Sequence, residues 1–107
     1  MNGPRKDKKY VGIDKDINGG MTDTGKLIRD AWVFGLIPEE ETCEGWSLTG
    51  LQTLWEQTSI EWEKHGFLPS NLPPETLERF KRIHDQAIKR AKANGWSPED
   101  EVHEGNA

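Results

Sequence analysis

Gly20–Trp46, GMTDTGKLIRDAWVFGLIPEEETCEGW, is the stretch whose reading decides the fold. It contains the longest apolar run, Ala31 to Pro38, the single cysteine and the densest acidic cluster. Thr22, Asp23 and Thr24 are all residue types that cap helix N-termini, so a helix is predicted to start near Asp23. Leu27, Ile28, Ala31, Trp32 and Phe34 follow at helical spacing. Gly35 is suited to the left-handed residue that ends a helix, and Pro38 prevents its resumption. The acidic loop Glu39 to Gly45 comes next.

Downstream, Ser47 reads as a cap, and Trp46 before it can pack on Leu51 as a hydrophobic staple. Leu48, Leu51, Trp55, Thr58 and Trp62 step along one helical stripe with Leu54 beside it, and Gly66 ends the element. Pro73 and Pro74 suit the first turn of a third helix. Leu77, Phe80, Ile83, His84, Ala87, Ile88 and Ala91 form its apolar face, and Gly95 closes it. The spacing predicts an all-α, small three-helix domain with helices at about 23–34, 48–65 and 73–94. Residues 21–96 form the domain, 1–20 a flexible N-terminal tail and 97–107 an acidic C-terminal tail. Within the first of these, Tyr10 to Ile13 can dock as a short extended piece.

At 107 residues the chain has room for one small domain, and five tryptophans supply large side chains for its limited core. Net charge is −5, unevenly spread. Pro38 to Lys64 carries seven glutamates against one lysine, whereas Glu75 to Asn94 has six basic and three acidic residues. Pairing between these two segments accounts for the asymmetry. One cysteine excludes an intramolecular disulfide framework. The first sixteen residues lack the apolar region of a signal peptide, and the Ala31–Pro38 run is too short to span a bilayer. The sequence-based expectation is a cytoplasmic chain that does not enter the membrane.

Several partial motifs invite functional readings. Gly20, Gly25 and Lys26 fit a phosphate-binding loop up to the position that needs Ser or Thr, where Leu27 stands. Asp14, Asp16, Asn18 and Gly19 fit the opening half of a calcium loop, because alternate oxygen side chains converge around a glycine bend. Gly25 then occupies the position that needs a bidentate glutamate. The Asp14–Gly19 segment is thus a candidate ion site, with Asp14, Asp16 and Asn18 as its metal ligands. Cys43 lies among glutamates that oppose thiolate formation, and a zinc site would need His65 and His84 from distant segments. No nucleophile stands beside a base, so no catalytic residue is assigned and no cofactor is expected.

By position Trp32, Trp46, Trp55 and Trp62 belong in the core. That much aromatic area overfills a small core, and a surplus beside an acidic rim is the mark of an interaction surface. Trp32, Phe34, Leu36, Ile37 and Trp46 with Glu39 and Glu40 are the candidate residues, and Ile60 can extend a second patch. The favoured expectation is a non-catalytic domain that binds a protein partner or a second copy of itself. A nucleic-acid accessory role would use Arg79, Arg82, Lys89, Arg90 and Lys92 of the third helix, and the net negative charge argues against it.

Overall fold

The computed structural model describes residues 9–97. The expectations for the first eight residues and for the acidic tail beyond Ser97 lie outside them. The described chain is all-α, with α1 at Asp23–Val33, α2 at Leu48–Glu63 and α3 at Pro74–Ala93.

Local chemistry sets these boundaries. Thr22 Oγ1 accepts a hydrogen bond from the Gly25 N–H at 3.0 Å. Ser47 Oγ does the same for Gly50 at 3.1 Å. Each cap satisfies one of the amides that a helix start leaves open. Pro74 opens α3, where its missing N–H costs nothing. All three helices end alike: Leu36, Phe67 and Trp96 donate their N–H back to Ala31, Trp62 and Ala91, at 2.9, 2.9 and 3.0 Å. The residue before each donor is a glycine at positive φ, as this closing turn requires.

Helix α1 is central. Both α2 and α3 pack on it, whereas the α2 and α3 backbones do not approach each other. Those two meet through aromatic rings instead, Trp62 against Phe80 edge-to-face at 6.0 Å. The core joins Ile28 and Ala31 of α1 to Leu54 of α2, Cys43 of the loop and Ile13 of the N-terminal segment. Tyr10, Leu27, Trp32, Leu36, Ile37, Trp46 and Leu51 pack around it, half-buried.

The segment before α1 departs from the sequence reading. Tyr10 to Ile13 dock as an extended piece, as the sequence allowed, and residues 14–20, placed with the tail by their charge and glycine content, also belong to the packed unit. Tyr10 and Ile13 run along the acidic loop through three backbone hydrogen bonds, Tyr10 N–H to Trp46 O, Gly45 N–H to Tyr10 O and Ile13 N–H to Thr42 O. Ile13 is buried. The chain then turns through left-handed Asn18 and Gly19 against α3. A Cβ at Gly19 would lie 2.7 Å from Ala91 Cα, so this approach is open only to glycine. Two apolar anchors and a tight turn suffice to dock a segment whose average composition is polar.

A second departure concerns α2. Leu54 and Thr58 are its buried residues, and Trp55, expected in the core, is 58% exposed. The buried stripe is rotated toward Leu54 because α2 has a neighbour on one side only, and Trp55 falls at the edge of that contact.

Candidate functional site

The apolar residues proposed as an interaction surface are half-buried. The chain reverses at Gly35, and Leu36 and Ile37 fold back on the core with Trp32 and Trp46. Trp32 Nε1–H donates to the Glu41 carbonyl at 3.0 Å, which fixes the ring under the acidic loop. Phe34 lies elsewhere, edge-to-face on Trp62 at 5.0 Å and stacked on His65 at 6.2 Å. Glu39 is exposed and accepts both arms of the Arg82 guanidinium, at 3.0 and 2.9 Å. That fork holds the Glu39 carboxyl below its usual range. Glu40 is exposed. The seven residues therefore do not make one exposed patch. Trp32, Leu36, Ile37 and Glu39 border a shallow depression with Arg79, and the rest lie apart from it.

The candidate ion ligands have other partners. Asp14 Oδ1 accepts from Arg90 of α3 at 2.7 Å. Asp16 Oδ2 accepts from the Tyr10 hydroxyl and the Thr22 hydroxyl, both at 2.6 Å, and its Oδ1 accepts from the Ile17 N–H at 2.8 Å. Asn18 contributes its backbone to the turn, its carbonyl accepting from Met21 at 3.1 Å. Asp14 and Asp16 thus each have donors within the protein. Among the described residues no group of three or more His, Cys, Asp or Glu is placed to hold a metal ion. Cys43 is fully buried, and burial followed by the field of Glu41 pushes its thiol up to about 11. The Gly20–Lys26 loop is likewise occupied, since the Gly20 carbonyl accepts from Arg29 at 2.8 Å and Lys26 pairs with Asp30 at 3.3 Å. On α3, Arg79 donates to the Val33 carbonyl at 2.6 Å, so three of its arginines contact the body of the protein.

What the sequence did not single out is a groove between α1 and α2. It has a volume of about 500 Å3, with Trp55, Trp62, Phe67, Leu27, Lys26 and Asp30 among its walls. A recess of about 320 Å3 shares Lys26, Trp62 and Phe67 with it and adds Phe80 and His84. Phe67 is 62% exposed. Asp30 sits at the bottom, its carboxylate side chain nearly buried. Its Oδ2 accepts from Trp62 Nε1–H at 3.1 Å and from Lys26, while Oδ1 is buried with no partner. Phe34, Trp62 and Phe80 form a continuous aromatic row, of which Trp62 lines the groove and Phe80 the recess. The exposure of Trp55 was not legible because it depends on where α1 crosses α2, which periodicity leaves open by one residue.

Compared with known proteins, the chain matches no protein family, no curated protein and no solved structure. Among the described residues, no helix is long and apolar enough to cross a membrane.

His84 borders the recess beside the groove. Its ring lies 4.3 Å from Phe80. Burial holds its pKa below 6.5; Arg29 and Lys26 of α1 act in the same direction, and Asp30 and Asp85 oppose them. In the unfolded chain the imidazole takes up its proton near pH 6.5, which the fold resists, so stability is lost as pH falls below that value. The urea midpoint is expected to fall between about pH 7.5 and about pH 5.5, and His84→Gln to flatten that slope. An equally steep fall in the variant would assign the acid sensitivity to other groups.

Proposed function

We propose that this chain is a small non-catalytic protein-interaction domain whose α1–α2 groove receives a basic amphipathic helix of a partner protein. The observation that carries the reading is Trp55, a tryptophan 58% exposed at the edge of an aromatic-lined groove. Leaving that much indole in water forgoes roughly 2–4 kcal/mol of burial, from about 150–250 Å2 per tryptophan at about 25 cal/mol per Å2. A partner recovers it on docking, and tryptophan is the residue type most enriched at such positions.

Charge selects the partner. Residues 39–63 contain seven glutamates and no lysine or arginine. Glu56 and Glu63, seven residues apart, share one exposed flank of α2 near Trp55, and exposed Asp23 lines the groove. A helix with an apolar face and flanking lysines or arginines complements the exposed indole and these exposed carboxylates, and this is how helix-in-groove recognition combines apolar anchors with complementary charge.

The test uses a synthetic Lys/Leu amphipathic helical peptide and a Lys/Ser peptide of equal charge, titrated calorimetrically into the full chain. The Lys/Leu peptide is expected to bind more tightly, and Trp55→Ala to weaken it about tenfold or more. Because Trp55 is exposed, the variant should melt close to the parent. Equal affinity for the two peptides, or an unaffected Trp55→Ala, rejects the groove. A mass that rises with concentration in sedimentation would instead make a second copy the occupant, through basic α3.

A further inference from the structure

On the opposite side of α1, away from that groove, Arg29 is 95% removed from solvent, its residue exposure being 5%. Its Nη1–H donates to the Gly20 carbonyl at 2.8 Å. Its Nε is buried without a partner. No carboxylate among the described residues pairs with it. Asp30, whose field acts on it, is engaged by Lys26 and the Trp62 indole. A guanidinium does not shed its proton in a protein, so the fold carries a buried and incompletely compensated cation. Buried charges of this kind are ordinarily paired, because taking an ion out of water is costly unless a counter-charge replaces its hydration.

Arg29 forms part of the wall of a cavity of about 360 Å3 between the N-terminal segment, α1 and α3. That volume falls within the usual range for small-molecule sites, about 300–1,000 Å3. Ile13, Trp32, Ile83 and Ala87 supply apolar wall, and Gln86 and Arg90 supply donors. Two carboxylates stand nearby, and each already has its own arginine: Glu39 is held by Arg82 and Asp14 by Arg90. The charge left over is that of Arg29.

We propose that this cavity binds a small organic carboxylate with an apolar body, its anionic head on Arg29 and its body against Trp32, Ile83 and Ala87. Arginine suits the task because its charge is permanent and lies against the cavity. The apolar wall selects against a bare inorganic anion. The site is independent of the α1–α2 groove and stands or falls without it.

The experiment titrates the 15N-labelled full chain with benzoate, and in parallel with benzamide, its neutral counterpart, and with inorganic phosphate. Benzoate is expected to shift the Arg29 Nε–H and Trp32 indole signals along one saturable curve. Benzamide should bind about tenfold more weakly, the usual effect of losing a charged hydrogen bond. Arg29→Met should abolish the response. Since Arg29 also holds the Gly20 carbonyl, a second variant, Ala87→Phe, fills the cavity and leaves the guanidinium in place. It too should lose benzoate binding. The proposal is overturned by benzamide binding as tightly as benzoate, or by phosphate binding more tightly. It is also overturned by unsaturable shifts scattered over exposed lysines, or by unchanged benzoate binding in Ala87→Phe.

Discussion

Gly25→Ala lowers the stability of the folded chain by roughly 1–3 kcal/mol, whereas Gly50→Ala raises it by up to about 1 kcal/mol. The two glycines occupy the same local position. Each is the third residue of its helix, and each gives its N–H to the cap, Thr22 in one case and Ser47 in the other. Helix propensity treats them alike and favours alanine at both. The surroundings separate them. A Cβ at Gly50 would meet Ser47 Oγ and the Trp46 ring at 3.5 Å, ordinary contact. A Cβ at Gly25 would overlap the Gly20 carbonyl oxygen, a backbone atom that cannot swing aside, and would come within 3.3 Å of Arg29 Nη1. Relief requires moving the Gly20 carbonyl that Arg29 holds. The variant therefore strains the turn and disturbs the Arg29 bond together. Urea unfolding of both variants checks the prediction. Stabilisation by both substitutions would mean that the N-terminal turn does not lie against α1 as described.

Removing the Asp16 carboxylate is expected to cost about 2–4 kcal/mol, the scale of charged hydrogen bonds lost together. Asp16 is the hub of the N-terminal segment. It receives two hydroxyls at 2.6 Å, from Tyr10 on the docked strip and from Thr22, the cap of α1. Thr22 in turn holds the Gly25 amide. One carboxylate thus connects the docked strip, the turn and the helix start. The Tyr10 hydroxyl is held in its protonated form by burial, then by its bond to Asp16. In Asp16→Ala that hydroxyl loses its acceptor while remaining half-covered, and Ile13 loses the turn that keeps it in the core. Tyr10→Phe removes one donor only and should cost about 1 kcal/mol. In the Tyr10→Phe background, Asp16→Ala should cost less than it does alone, because the two residues share an interaction. A change within about 0.5 kcal/mol for Asp16→Ala would place residues 10–20 outside the cooperative unit. Stabilisation of the parent by millimolar calcium, lost in Asp16→Ala, would support the ion-site reading of Asp14, Asp16 and Asn18.

The sequence by itself determined the helices and their ends. Thr22 and Ser47 begin two of them, Pro74 begins the third, and Gly35, Gly66 and Gly95 stop all three. These are short-range effects: a cap reaches three residues along the chain and a closing turn reaches five, so adjacent residues contain the information. The pairing of the acidic middle with α3 was also legible from charge, and Glu39 with Arg82 realises it. Tertiary structure decided which side of each helix faces inward. Trp55 is exposed because α1 crosses α2 on the Leu54 side. Arg29 and Asp30 are buried because α1 has neighbours on both sides, and no periodicity in a polar dipeptide announces that. Residues 10–20 are docked by the isolated anchors Tyr10 and Ile13, whose partners lie more than twenty-five residues away at Thr42 to Trp46. Contacts at such separation depend on the crossing geometry of the whole unit, and the groove and the Arg29 cavity are both products of that geometry.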